Sequence, residues 1–275
     1  MVIWDAFLLL SQELGDKREA ELLLGDILKT DISGIILNKN NDLKISEEEK
    51  LSEYIKRRKS GEPVQYIMGY CEIMSLEFFV NPSVLIPRSD TETLVEYLIA
   101  EIGDKKIKFL DIGTGSGCIA ISILKNCPNA TALLLDISDG ALDVAIENAK
   151  KNNVIDRAEF LNMDILKEYP ERTFDLVVSN PPYIRPDVIE GLEKQVKDFE
   201  PYTALCGGED GLVFYRRITD IANKILREDG ILAYEIGYDQ GVAVSEILDE
   251  EFSDVKIIKD LCENDRVVTG KRKCH

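Results

Sequence analysis

Histidine is nearly missing from this chain: among 275 residues the single one is His275, the last. No internal imidazole is left to build a His-ligated zinc site, a Ser-His-Asp triad or an imidazole base. Cysteine is sparse and unpaired in pattern. Cys71, Cys118, Cys127, Cys206, Cys262 and Cys274 form no C-x-x-C motif, and a chain of this length needs no disulfides to hold a core, so they read as reduced, mostly small core residues. Long hydrophobic runs are absent too. Ala6–Leu10 is the longest near the start, has no basic stretch before it, and is far too short for a signal segment or a membrane span. It reads as a buried helix face, and the expected compartment is the cytoplasm, with no membrane association. Positive charge is in deficit, 33 Lys and Arg against 51 Asp and Glu, a net of −18. Such an excess repels phosphate backbones and weighs against direct nucleic-acid binding.

The first 60 residues carry helical spacing. Trp4, Phe7, Leu8 and Leu10, then Ala20, Leu22, Leu23, Leu24, Ile27 and Leu28, recur near helical spacing, and Ser46 with Glu49 has the form of a capping box. Residues 1–75 hold 14 acidic and 10 basic side chains, a net of −4, which suits a partner-recognition or packing bundle better than a nucleic-acid arm. Gly61, Pro63, Gly69, Pro82 and Pro87 then punctuate short apolar runs, predicting a β-hairpin linker. Beyond Thr91, strands alternate with helices. The strands are expected at Ile107–Asp111, Thr131–Asp136, Ala158–Leu161, Phe174–Ser179, Ile231–Ile236, Val255–Lys259 and Arg266–Thr269. This is the pattern of an α/β domain with a mostly parallel sheet. The loop Asp260–Asp265 is too short for a crossover, so the last two strands are antiparallel. Seven strands ending in such a hairpin resemble the Rossmann-like class I methyltransferase sheet. The domains are expected at 1–75 (helical, substrate recognition), 76–90 (hairpin linker) and 91–275 (methyltransferase).

Two motifs carry chemistry. The first, Asp111-Ile112-Gly113-Thr114-Gly115-Ser116-Gly117, runs from a strand into a helix. Its G-x-G-x-G spacing differs from the G-x-G-x-x-G of dinucleotide pyrophosphate sites, although a plain tight turn would look similar. Asp111 is placed to reach the ammonium of an amino acid, Asp136 at the next strand end to accept from two ribose hydroxyls, and Asp164 to accept from an adenine amino group beside Ile165. Asp164 also fits a turn residue. Together these acids favour S-adenosylmethionine, leaving S-adenosylhomocysteine, over a nicotinamide cofactor. No metal is expected.

The second motif is Asn180-Pro181-Pro182-Tyr183, at the end of an apolar strand. The prolines remove backbone donors and hold the chain extended, so carbonyls project rigidly beside the Asn180 side-chain oxygen. Two acceptors side by side fit the two hydrogens of a planar NH₂ group, and Tyr183 offers a flat wall. An amide nitrogen is a poor nucleophile because its lone pair is delocalised. Accepting both N–H bonds from one side favours a pyramidal nitrogen aimed at the methyl, and positioning of this kind is worth several kcal/mol. A mere strand-ending turn is the plainer alternative, disfavoured because the motif follows a glycine-rich cofactor strand.

Asn-Pro-Pro-Tyr is shared by adenine-N6 methyltransferases of DNA and RNA and by protein-glutamine methyltransferases. The remaining segments resemble one family, the HemK/PrmC peptide chain release factor N5-glutamine methyltransferases. Arg58–Gly69, Val84–Glu92 (VLIPRSDTE), Phe199–Gly211 (FEPYTALCGGEDG), Tyr234–Gln240 and Lys259–Gly270 carry the likeness. Ser89 and Asp90 depart from the family's usual Pro and Glu, and Ile165 stands where some members have an aromatic. The resemblance implies methyl transfer to the glutamine of the Gly-Gly-Gln loop in release factors. Gly113–Gly117, Asp136 and Ile165 would hold the cofactor, and Asn180–Tyr183 the substrate amide. Arg88 would either orient substrate backbone or pair with Asp90 or Glu92. A monomer is expected. The rivals are an adenine-N6 methyltransferase and a ribosomal-protein glutamine methyltransferase. The first is disfavoured because residues 184–229 carry 7 basic against 10 acidic side chains, the wrong sign for phosphate contact.

Overall fold

Helical periodicity in the first 70 residues resolves into α1 (Ile3–Leu14), α2 (Lys17–Leu28), α3 (Ile32–Leu37), α4 (Ile45–Lys59) and α5 (Val64–Met68) in a computed structural model that describes residues 1–273. Cys274 and His275 lie outside the described residues. Asp16 and Asp31 cap α2 and α3, accepting from the otherwise orphaned N–H groups of Arg18 and Gly34 at 2.6 and 2.9 Å. The expected capping box of Ser46 and Glu49 is not formed; half of one stands two residues earlier, because the Lys44 side chain at the N-cap has no acceptor. Leu43 is buried and ends the preceding loop, so the helix begins at Ile45 and Glu47 accepts from the Lys44 N–H at 2.8 Å. Phe7, Leu10, Leu23, Leu24, Ile35 and Leu51 form the core of this unit. Leu8, expected on a buried face, lies outward at 50% exposure, and Trp4 at 37%. The buried Asp26 carboxylate is held by Lys29, Lys50 and the Tyr54 hydroxyl at 2.8, 2.9 and 2.7 Å.

The chain divides into two compact units, Met1–Tyr70 with Glu193–Phe199, and Cys71–Leu192 with Glu200 onward. The hairpin β1 (Tyr70–Ile73) and β2 (Leu76–Phe79) turns through Met74 and Ser75, both at positive φ. The Met74 N–H donates to Glu92 at 2.6 Å, which secures this turn without a glycine. Helix α6 (Thr91–Ile102) follows, then β3 (Lys108–Ile112), α7 (Cys118–Asn126), β4 (Thr131–Asp136), α8 (Asp139–Lys151), β5 (Ala158–Asn162), β6 (Phe174–Ser179), β7 (Leu226–Glu235), β8 (Phe252–Lys259) and β9 (Asp265–Arg272). Helices Val213–Ile225 and Gly241–Asp249 flank β7 in sequence.

The seven-stranded sheet has the order β5-β4-β3-β6-β7-β9-β8. The first five strands of that order run parallel, and β9 pairs antiparallel with both β7 and β8, as the short connecting loop requires. Strand β7 starts earlier than expected. Leu226 pairs with Phe174 and Ile231 with Leu176, so residues 227–230, containing Asp229 at positive φ, bulge between two paired stretches. The chain order reverses between β3 and β6. Ligands of open α/β sheets bind in the crevice outside the carboxyl ends of the strands at such a switch.

Candidate active site

Both sequence motifs emerge at that crevice. The glycine loop leaves β3, and Asn180 leaves the adjacent β6. They border one cavity of about 410 Å³, within the size range of small-molecule sites.

The loop is anchored by its backbone. The Gly113 and Thr114 N–H groups donate to the Leu135 carbonyl at 2.8 and 3.0 Å, and the Gly117 N–H to Thr114 at 2.8 Å. Gly113 and Gly115 sit at φ +69° and +55°, and a Cβ on either would meet nothing within 4 Å. That leaves a bare backbone surface against which a ligand can lie. Asn148, fully buried on α8, ties the loop to the hairpin. Its amide donates to Ser116 and Phe79 carbonyls and accepts from the Phe79 N–H. Ser116 is itself buried, and Gly117 caps α7 from the left-handed region.

Asp111 is completely buried. Its Oδ2 accepts from the Thr114 hydroxyl at 2.7 Å, while Oδ1 has no partner among the described residues. Desolvation raises its pKa to about 7, against the lowering effects of Thr114 and the Ala120 N–H. Asp111 is not itself among the cavity residues, which begin at Ile112 and Gly113; its orphaned oxygen could be satisfied by a ligand ammonium only through the loop or a bridging water. Asp136 keeps 9% exposure. Its oxygens accept from the Gly115 and Ser138 N–H groups at 2.9 and 3.0 Å, and burial raises its pKa. Each oxygen retains acceptor capacity toward hydroxyls. Asp164 borders the cavity but is also engaged in its own turn, accepting from the Leu166 N–H at 3.0 Å and pairing with Lys167 at 2.8 Å. The Lys167 contact holds its pKa down. Ile165 lines the same wall, facing the region that Phe214 and Ile218 border from the helix Val213–Ile225.

Asn180, Pro181 and Pro182 also line the cavity. Tyr183 is not among the cavity residues, and its ring packs on the sheet core instead. Burial raises its pKa to about 12. The Asn180–Ile184 segment is braced from behind. Ile184 and Gly207 exchange backbone bonds with their opposite loops, Ile184 N–H to Leu205 and Gly207 N–H to Ile184, each at 2.9 Å. A Cβ at Gly207 would come within 2.6 Å of Tyr183 Cα, so only glycine allows this approach. The Gln240 amide donates to the carbonyls of Tyr183 and Gly211 at 3.3 Å and accepts from the Gly237 N–H at 3.0 Å. It is a buckle joining three loops.

Arg88 lines the cavity and pairs with the buried Glu200 rather than with Asp90 or Glu92. Glu200 also accepts from the Ile86 N–H at 3.2 Å. Asp90 pairs with Arg266 at 3.0 Å, and Glu92 is taken by Met74. The sequence signal for Glu200 was an acid inside the Phe199–Gly211 segment, but its partner is 112 residues distant along the chain and no local pattern names it.

Comparison with known proteins gives the family. Residues 4–69 match the family model described as the PrmC N-terminal domain, and residues 88–192 the one described as the methyltransferase small domain. A release factor glutamine methyltransferase of Clostridium botulinum is 45% identical over 92% of this chain and 91% of its own length. That of Clostridium acetobutylicum is 44% identical over 92% and 90%. The chain belongs to the release factor glutamine methyltransferase family. The resemblance read from Val84–Glu92, Asn180–Tyr183 and Phe199–Gly211 therefore stands. Two solved structures share the fold alone. The ribosomal protein L11 methylase of Lactobacillus delbrueckii subsp. bulgaricus is 22% identical with TM-score 0.50, covering 71% of this chain and 84% of that one. A methyltransferase of Pyrococcus furiosus is 18% identical with TM-score 0.53, covering 73% and 91%.

Within this family framework, the residues that motif reading passed over are those acting from behind: Asn148, Gln240, Glu200 and Glu235. Glu235 is the most unusual. It ends β7, is 2% exposed, and its Oε2 has no partner among the described residues. Its only sequence signal was an acid within the apolar run Ile231–Ile236.

Proposed function

We propose that the chain transfers a methyl group from S-adenosylmethionine to the side-chain amide nitrogen (N5) of the glutamine in the Gly-Gly-Gln loop of peptide chain release factors. The observation that carries this reading is one cavity bordered both by the bare glycine loop, Gly113–Ser116, and by Asn180, Pro181 and Pro182; the orphaned Asp111 oxygen lies buried beneath that loop. The relatives' name supports the substrate class.

The donor set fits the cofactor. Asp111 Oδ1 would take the ammonium through the loop or a bridging water, Gly113–Gly117 the amino-acid and sugar backbone, Asp136 the ribose hydroxyls, and Ile165 with Phe214 the base. When bound, the cofactor supplies a methyl on a positively charged sulfur, electrophilic enough that the scheme calls on no metal. The chain's own part is orientation. Asn180 Oδ1 and the Pro181 carbonyl would each accept one N–H of the glutamine amide, turning its lone pair toward the methyl and stabilising positive charge as it grows on nitrogen. After transfer the amide nitrogen would carry one proton too many, and that proton would pass to solvent water. No imidazole is required, since an N-methylated amide cation is strongly acidic.

In this reading the helical unit recognises the release factor, and the exposed apolar side chains Trp4, Leu8, Ile36 and Leu37 are its candidate contacts. The enzyme is taken as a cytoplasmic monomer; among the described residues no helix is long and apolar enough to cross a membrane. The test is mass spectrometry of a purified release factor after incubation with enzyme and cofactor. Added methyl mass on the loop glutamine is expected; an unmodified loop, or methyl groups appearing on adenine in DNA or RNA instead, would overturn the proposal.

A further inference from the structure

Strand β7 runs parallel to β6 with Tyr234 opposite Ser179, so Glu235, the last residue of β7, and Asn180, the first residue beyond β6, lie side by side. Glu235 is buried with one oxygen unpartnered, a costly arrangement for a carboxylate unless it serves a neighbour. Thr91 and Asp90 face it from the head of α6, the Cys118 thiol from the start of α7, Arg266 from β9, and Asn180 and Tyr183 from the loop after β6. From the helix Val213–Ile225, the Tyr215 hydroxyl donates to the Glu235 backbone carbonyl at 3.1 Å. Arg266 is shared with Asp90 at 3.0 Å and Asp260 at 3.1 Å, and the uncharged donors that favour the Glu235 carboxylate are the Thr91 hydroxyl and the Asn180 amide.

An asparagine amide has two nearly isosteric ends, and only one of them is an acceptor. We propose that Glu235 is a positioning residue that fixes the sense of the Asn180 amide: its carboxylate accepts from the Asn180 NH₂ end and so holds Oδ1 toward the glutamine. This rests on the reading above, in which Asn180 Oδ1 accepts a substrate N–H. A carboxylate can only accept, so the reversed amide, oxygen against oxygen, is repelled. A neutral carboxylic acid both donates and accepts, and the preference disappears. Burial raises the Glu235 pKa to about 7 despite the opposing effects of Thr91, Arg266 and Asn180, so the device switches near neutral pH.

The experiment follows kcat for methyl transfer to purified release factor, at saturating cofactor, from about pH 5.5 to about pH 9. Wild type, Glu235→Gln, Asn180→Ala and the double variant are compared, with cofactor affinity measured by calorimetry. Saturating cofactor removes Asp111 from the profile, because its carboxylate is then engaged. Wild-type kcat is expected to fall as pH drops through about 7, to a plateau at the level of Glu235→Gln. That variant should be roughly threefold to thirtyfold slower at pH 8, flat with pH, and within about twofold of wild type in KM and cofactor affinity. The double variant should be no slower than Asn180→Ala, because Glu235 acts only through that amide. A Glu235→Gln enzyme with wild-type kcat and an unchanged acid limb overturns the inference, as does a double variant slower than Asn180→Ala by the full Glu235→Gln factor. If Glu235→Gln does not fold, a flat wild-type kcat profile across the same range overturns it. A wild-type enzyme that leaves release factor unmodified, or an Asn180→Ala enzyme at full speed, would instead sink the underlying function.

Discussion

Asp111 makes a trade between stability and ligand binding that Asp111→Asn should expose. In the free protein its carboxyl is fully buried, and its pKa stands at about 7 against an ordinary 3.8. The folded state therefore keeps a proton that the unfolded state has released, and stability declines as pH rises from about 4 to about 7. Between pH 5 and pH 8 about two units of that interval are crossed, at about 1.36 kcal/mol each, which makes about 3 kcal/mol. Asparagine does not titrate and keeps an acceptor for the Thr114 hydroxyl. Relative to wild type, the variant should thus gain about 3 kcal/mol in unfolding free energy on going from pH 5 to pH 8, whatever its offset at pH 5. Cofactor binding should move the other way. At pH 8 the variant loses a charged acceptor for the ligand ammonium, costing about 1.5–3 kcal/mol, or roughly tenfold to 150-fold in affinity. Wild-type affinity should itself rise with pH through about 7 as the carboxylate becomes available. Urea denaturation at the two pH values and calorimetric titration with S-adenosylmethionine measure both halves. A stability difference that does not change with pH, or a variant that binds cofactor as tightly as wild type at pH 8, would refute the reasoning.

Asn180→Ala should lose most turnover while cofactor affinity by calorimetry changes little; loss of both together would reassign Asn180 to folding. Asp136→Ala should weaken cofactor binding by about 1–3 kcal/mol, because it removes both a ribose acceptor and the anchor of the Gly115 N–H; unchanged affinity would remove it from the ribose. Gly207→Ala forces its new methyl against Tyr183 Cα and should lower kcat and stability together, by roughly 1–3 kcal/mol in stability, read from urea melts and turnover. A variant with wild-type turnover and melting would show that the brace behind Asn180–Tyr183 is not needed.

Much of the fold was legible because its signals are local. Strands β4 and β6 fall where apolar runs end in a turn residue, and the antiparallel end of the sheet follows from the brevity of Asp260–Asp265. The cavity-facing motifs were legible for the same reason: three glycines admit left-handed backbone and two prolines hold it extended wherever they occur. Boundary errors arose where tertiary contacts outweigh local chemistry. Leu43 turns the chain into α4 early, and the bulge at 227–230 lets β7 begin at Leu226. The orientation of Leu8 failed because a helix of mixed apolar residues does not announce which stripe its neighbours will cover.

What the sequence could not reveal is the layer behind the motifs, because it is assembled by strand order. Asn180 and Glu235 are 55 positions apart, and Arg88 and Glu200 are 112 apart; they meet only once β6 and β7 lie side by side and the segment after Phe199 returns to the crevice. An isolated acid in an apolar strand reads as a conflict when it is seen alone. Set at the end of β7, the same acid is next to an amide whose two ends are chemically opposite and whose sense decides whether a substrate N–H meets an acceptor or another donor. The parallel register supplies that neighbour without any motif.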